Sequence, residues 1–233
     1  MEKKHIITLS GKPGSGKSST ADKVAELLSY TRHSSGDMIR SVLAKNKMTL
    51  EEYNNQAETN HSLDRQVDDE LRDLREKNDI IVDSRLGFYW IPESFKVYLD
   101  LDLDIATARI FKDTVTNQAR SSVGTNSSSL SEVSRQVKER MLGEQDRFRK
   151  LYGVDPYDKN HFDLIVDTSR NDPQSVAIAV YDAYRQWLDL EIWEQKTVSI
   201  PLGYSYKNQY WFSKKKDPLG VFFINSLNCF SWK

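Results

Sequence analysis

Near the start of the chain, Gly11-Lys12-Pro13-Gly14-Ser15-Gly16-Lys17-Ser18 has the residue types and order needed to hold a chain of phosphates. Glycines lack a Cβ, so the backbone of such a loop can approach phosphate oxygens closely. Its N–H groups, together with the positive end of a following helix, then face the anion. In this G-x-x-x-x-G-K-S pattern Lys17 is placed to reach the β- and γ-phosphates, and the hydroxyl of Ser18 to ligate Mg²⁺. The pattern carries weight only between a strand and a helix. Ile6-Ile7-Thr8-Leu9-Ser10 reads as a buried strand, and from Ser19 to Leu28 the residues Ala21, Val24, Ala25 and Leu28 recur on one side of a helix. Gly11 to Ser19 are therefore expected to bind a nucleoside triphosphate. A plain glycine-rich turn joining strand to helix is the competing reading.

Phosphoryl transfer needs charge neutralisation and alignment more than covalent help, so arginines able to surround a phosphate come next. Arg40 lies in a turn-to-helix segment, and Arg85 directly follows an apolar strand. Arg140 and Arg147, seven apart on one predicted helix, share a face, whereas Arg149 points to the opposite side. Each has a second reading. Arg85 fits a strand-end salt bridge, Arg40 a solvated helix position, and the other two a charged helix face beside Glu139 and Glu144. Asp83 fits equally an orienting group, for an arginine or the water shell of Mg²⁺, and a turn cap. No convincing general base stands out. A phosphate monoester, with a second pKa near 6, is already a nucleophilic dianion at neutral pH, so this suits a phosphate acceptor gripped by arginines.

The elements that position these groups alternate. Tyr30 to His33 fits a short strand. Asp37 begins a helix with Ser35 or Asp37 as its cap, and Thr49-Leu50-Glu51-Glu52 opens another. Leu63 to Lys77 is amphipathic. Strands are predicted at Asp79–Asp83, Lys96–Leu99 and Phe162–Val166, with a helix from Ile105 to Phe111. From Lys112 to Ser131 the composition turns to Ser, Thr, Asn and Gly, as in a plain linker or a lid. Ser129-x-x-Glu132 caps a helix running to about Lys150, and Asp172-Pro173 opens one to about Leu190. This alternation predicts an α/β fold, the three-layer arrangement of P-loop NTPases with a central parallel sheet flanked by helices. Ligands in such sheets sit at the carboxyl ends of the strands. Gly11–Ser18, Ser35–Arg40, Asp83–Arg85 and Asp167–Ser169 should therefore share one cleft.

The 233 residues fit one domain with an appendage. A formal net charge of -1 gives no global field for nucleic acid or membrane. The single cysteine, Cys229, excludes a disulfide framework and suits a reducing cytoplasm. The start of the chain enters the first strand directly, without a signal-peptide pattern, and no apolar run approaches the ~20 residues of a membrane span. The four histidines are scattered, without metal-ligand spacing.

Several ordered stretches resemble the cytidylate kinases, particularly the archaeal-type branch with a short acceptor domain. They are the glycine loop, Ser-Ser-Gly-Asp-Met-Ile-Arg (34–40), Met-Thr-Leu-Glu-Glu-Tyr-Asn (48–54), Ile-Val-Asp-Ser-Arg-Leu (81–86), Val-Tyr-Leu-Asp (97–100), Val137-Lys138-Glu139-Arg140, 147–155 and 162–169. The resemblance covers about residues 5 to 188. It implies transfer of the γ-phosphoryl of ATP to CMP or dCMP with Mg²⁺. Ser35, Arg40, Asp83 and Arg85 would then lie around the acceptor, and Arg140 and Arg147 would neutralise the transferring group beside Lys17. Acceptor-binding helices would span about 34–78 and a lid about 112–131. The chain departs from the family pattern in three places. It reads Asp83-Ser84-Arg85 where Asp/Glu-Gly-Arg is common, Gln145 where another arginine is common, and its lid is poor in arginine, with Arg109 and Arg120 the nearest. A kinase for another nucleoside monophosphate or small metabolite, and a regulatory nucleotide-binding module, are the alternatives.

Beyond Leu190 the resemblance ends. Residues 191–233 interleave aromatic residues from Trp193 to Trp232 with Lys214-Lys215-Lys216. Such a stretch fits packing on the domain or a partner better than stacking on nucleic acid bases. No nucleic acid or membrane partner is expected, and the chain is expected to act as a monomer.

Overall fold

The computed structural model describes residues 3–48, 62–116, 129–200 and 221–223. In chain order the elements are β1 (Ile6–Gly11), α1 (Lys17–Leu28), β2 (Thr31–Ser34), α2 (Ser35–Asn46), α3 (Ser62–Asp73), β3 (Ile80–Asp83), α4 (Gly87–Trp90), β4 (Phe95–Asp100), α5 (Leu103–Thr116), α6 (Leu130–Tyr152), β5 (Leu164–Asp167), α7 (Pro173–Asp189), β6 (Lys196–Ser199) and β7 (Val221–Phe223). The strands form one sheet in the order β2-β3-β1-β4-β5-β6-β7. Every pairing is parallel.

Helices cover both faces, which explains why the central strands read as unbroken apolar runs rather than alternating ones. All six residues of β1 are buried. On one face Ile7, Leu9, Val97, Leu99, Leu164 and Val166 pack with α1, through Ala21 and Val24, and with α7, through Val180, Tyr184 and Trp187. On the other face Ile6, Ile80 and Val82 meet Val42 and Leu43 of α2 and Val67 and Leu71 of α3. Between α5 and α6, Ile110 packs on Val133 and Val137.

Two registers align the strand ends. Leu9 of β1 and Ser34 of β2 both pair with Asp83 of β3. The end of β3 therefore lies level with the start of the glycine loop and with the start of α2.

Local signals account for the helix ends. Asp172 accepts from the amides of Gln174 and Ser175, with Pro173 in the first turn of α7. Ser129 accepts from the Glu132 amide to start α6. The cap of α2 is Ser34, which accepts from the Asp37 amide, so the helix starts at Ser35, earlier than expected. One further expectation is corrected and one feature is added. The segment from Lys112 remains helical to Thr116, with the hydroxyls of Thr114 and Thr116 donating back to the carbonyls of Ile110 and Lys112. The sheet also continues past Leu190. Val198 of β6 and the following Ile200 join the core, while the amide of Lys196 and the indole of Trp193 both donate to the Asp163 carbonyl. The helix expected from Thr49, residues 117–128 of the expected lid with Arg120, and the stretches 201–220 and 224–233 lie outside the described residues.

Candidate active site

The glycine loop joins β1 to α1 and is shaped by close backbone approach. Gly11 and Gly14 have φ of +153° and +76°, and a Cβ on either would lie 2.4 Å from the Leu99 carbonyl oxygen or 3.0 Å from that of Ala106. Gly16, left-handed at φ 78°, caps α1 without any side-chain hydrogen bond to the first-turn amides. Those amides, at Lys17, Ser18 and Ser19, have no intrahelical acceptor and lie open to an anion. Pro13 and Ser15 are buried, and the Ser15 hydroxyl has no partner among the described residues. Ser18 and Ser19 are exposed on the first turn. Lys12 turns away, pairing with Asp100 at 2.7 Å and donating to the Leu101 carbonyl. Arg109 of α5 steadies the loop, reaching the carbonyl oxygens of Gly14 at 3.5 Å and of Thr168 at 2.6 Å.

Lys17 lies against the carboxylate of Asp83, which is 1% exposed and also held by Arg32 at 2.7 Å. Close by, Arg85 contacts Glu144 through its Nε at 2.5 Å, and Arg140 donates its Nε to the other Glu144 oxygen at 3.1 Å. The Tyr157 hydroxyl donates to Glu144 and lies 3.4 Å from Arg85 Nε. Lys17 and Arg32 thus meet at Asp83, and Arg85 and Arg140 at Glu144, while Asp22 and Asp37 also stand beside Arg32 at 3.3 and 3.8 Å.

Burial and close neighbouring charges shape the titration of the cluster. Burial, then the guanidiniums of Arg85 and Arg32, hold the Lys17 ammonium well below the usual lysine range. Burial pushes the Glu144 carboxyl up, but Arg85 and Arg140 outweigh it and the net shift is downward. Burial raises the Tyr157 phenol, so it remains a donor at neutral pH. Lys17, Arg85 and Arg140, gathered beside the first-turn amides of α1, give the site the groups that receive anions.

Of the residues expected from the sequence, Lys17, Asp83, Arg85 and Arg140 come together here. Ser35 joins them through a 3.4 Å contact from its hydroxyl to the Asp83 carbonyl. Arg147 follows Glu144 on α6, its guanidinium 5.0 Å from the ring of Phe148. Arg40 lies at the rim, 65% exposed, sharing Asp37 with Arg32. Gln145 and Arg149 both engage Asp155.

Sequence reasoning missed Arg32, Glu144, Tyr157 and the bracing role of Arg109. Two of them had a signal. An arginine inside the short strand β2 is costly unless it meets a carboxylate, and Arg140, Glu144 and Arg147 are spaced four and three apart, one face of a helix. Tyr157 reaches the site from a loop, and no sequence pattern marks it.

A family model described as an AAA domain matches residues 7–122. Among solved structures, an uncharacterized protein from Eubacterium ventriosum aligns with TM-score 0.55 at 14% identity, over 79% of this chain and 98% of that one. Shikimate kinase from Acinetobacter baumannii aligns with TM-score 0.51 at 14% identity, over 79% and 95%. At such identities these likenesses show the fold. Sequence relatives are nearer. The cytidylate kinase of Natronomonas pharaonis is 33% identical over 181 residues, 76% of this chain and 88% of that protein. Those of Haloarcula marismortui and Methanocella arvoryzae are 34% and 32% identical, covering 73% and 76% of this chain and 84% and 95% of theirs. With its glycine loop and its arginines gathered at the carboxyl end of one parallel sheet, the chain belongs to the cytidylate kinase family.

Proposed function

We propose that this protein transfers the γ-phosphoryl group of ATP to CMP or dCMP, giving ADP and the cytidine or deoxycytidine diphosphate. The observation that carries the reading is the joining of two cation groups by the end of β3. Asp83 serves Lys17 and Arg32, and two residues on Arg85 shares Glu144 with Arg140. The first group adjoins the glycine loop and suits a triphosphate donor. The second is placed for the phosphate of an acceptor and for the group in flight.

In this reading Lys17 and the amides of Gly14 to Ser19 hold the donor phosphates, and Ser35, Arg40, Asp83 and Arg85 bind and orient the acceptor. An acceptor phosphate oxygen attacks the γ-phosphorus as the bond to the β–γ bridging oxygen breaks, and ADP leaves with that electron pair. Arg140 and Arg147 face the negative charge spread over the transferring group. The acceptor is already a dianion, so no side chain has to remove a proton.

The exposed Ser18 hydroxyl at the head of α1 fits a divalent ion. Among the described residues no cluster of three His, Cys, Asp or Glu is poised to hold one, so its remaining oxygens would come from phosphates and water, as suits Mg²⁺. When bound beside Ser18, Mg²⁺ would supply positive charge that offsets the charge developing on the phosphates. No helix among the described residues is long and apolar enough to cross a membrane. We place the protein in the cytoplasm, where its single cysteine stays reduced, and propose that it acts as a monomer.

The test is ADP release from ATP·Mg²⁺ with CMP, dCMP, UMP, AMP, GMP and dTMP offered separately. Turnover confined to CMP and dCMP is expected. Fast turnover on a purine acceptor alone overturns the substrate reading, and no acceptor-dependent release overturns the activity.

A further inference from the structure

We infer that Glu144 is a positioning residue, a shared carboxylate that holds Arg85 and Arg140 as one rigid pair with their outer faces turned to phosphate. The inference rests on the proposed acceptor site and goes beyond it, since it concerns how the arginines are aimed rather than what they bind.

The geometry carries it. The two Glu144 oxygens are divided: Oε2 takes Arg85 and the Tyr157 hydroxyl, and Oε1 takes Arg140. Each arginine is gripped through its Nε. Beyond Glu144 and Tyr157, neither guanidinium makes a hydrogen bond or ion pair among the described residues, so the Nη1/Nη2 end of each, the end that forks onto two phosphate oxygens, is unspent. Glu144 is only 15% exposed, and Arg85 20%. The two arginines come from different parts of the fold, Arg85 from the loop after β3 and Arg140 from the middle of α6, and no backbone hydrogen bond joins those segments. Without an anion between them the guanidiniums of Arg85, 20% exposed, and of Arg140, 36% exposed at the rim, would repel. The carboxylate removes that repulsion, and Tyr157, a neutral donor whose ionisation is suppressed by burial, fixes which way it faces. Placement matters steeply at such sites, where an error of 1 Å can cost about 100-fold in rate.

Glu144→Gln is the central variant. The amide keeps the shape, but its NH₂ end opposes one arginine Nε–H donor, so only one of the two arginines stays seated. Expected results are a fall in kcat of about 10- to 100-fold and loss of most of the binding advantage of CMP over cytidine, with cytidine affinity itself unchanged. In the Arg140→Lys background the same substitution should cost less than about threefold more, because the pair it served is already broken. Tyr157→Phe, which leaves the Glu144 charge in place, should show a smaller fall of the same kind and provides the readout should Glu144→Gln fail to fold.

Equal loss of cytidine and CMP binding would make Glu144 a contact of the nucleoside and overturn the inference. So would fully multiplicative effects with Arg140→Lys. Inorganic pyrophosphate, offered with the glycine loop already filled by ADP, separates this inference from the acceptor reading, because it then asks for the arginines and for no nucleoside. If the wild type turns over no CMP and yet Glu144→Gln weakens pyrophosphate about tenfold, the acceptor reading fails and the positioning role stands. If both proteins hold pyrophosphate equally, the positioning role fails whatever the turnover.

Discussion

Replacing Lys17 by Met keeps most of the stem and removes the ammonium, and the structure sets what this should do to rate and to stability separately. One preorganised donor aimed at developing charge is typically worth 10²–10³ in kcat, about 2.7–4 kcal/mol, so turnover should fall about 1,000-fold. Stability should behave differently. Asp83 keeps Arg32 at 2.7 Å, so the substitution leaves no orphaned carboxylate. It also removes an ammonium that burial and the guanidiniums of Arg85 and Arg32 already disfavour. The net change should lie within about 1 kcal/mol, or some 2–4 °C in Tm for a chain of this length. The pH dependence is a sharper signature. The folded-state pKa of Lys17 lies below its unfolded value, so between those two values the unfolded chain binds more protons and stability rises with pH. Wild-type protein without nucleotide should therefore gain stability on the alkaline side, up to about pH 10.4, and Lys17→Met should lack that gain. The assays are coupled ADP release and thermal unfolding of both proteins from pH 7 to 10. Turnover within tenfold of wild type, a Tm loss above about 8 °C, or parallel stability curves would each refute the reasoning.

Two further substitutions probe the edges of the site and the frame. Arg40→Ala should leave Tm unchanged, since an exposed pair with Asp37 contributes little, yet raise the KM for CMP at least about tenfold by loss of a phosphate contact. An unchanged KM would remove Arg40 from the acceptor site. Asp172→Ala takes away the acceptor of two amides at the head of α7 and should lower stability by about 1 kcal/mol with kcat unaltered. Chemical denaturation reads the first, steady-state kinetics the second.

Much of this arrangement was legible in the chain because local rules wrote it. The glycine loop declares itself through residue type and spacing, Ser129 and Asp172 cap the helices they were expected to cap, and the buried strands are continuous apolar runs. Less legible was whatever depends on contacts between distant segments. Glu144 looked like one more charge on a helix face, because its partners Arg85 and Tyr157 lie 59 residues before it and 13 after it. Arg32 is a lone charge in a short strand, and its meaning comes from strand pairing with β3, which a sequence pattern does not state. Lys196–Ser199 is too short to signal a strand unaided. It becomes one because β5 would otherwise present an open edge to be paired.

The pairing of Asp83 with Leu9 on one side and Ser34 on the other bears on how this part of the chain can change over time. In β3, Ile80 and Val82 face the α2–α3 side, and Ile81 faces α1, so alternation sends Asp83 to the α1 side, where Lys17 waits. Loss or gain of a single residue in this strand would exchange the two faces. The carboxylate would then point among Val42, Leu43 and Val67, where a charge has no counter-ion and burial is severely penalised. Lys17 and Arg32 would lose their common anion at the same stroke. The length of the run from Ile80 to Arg85 is therefore held fixed even where its apolar residues exchange for one another, and insertions and deletions in relatives are expected to collect in loops outside it.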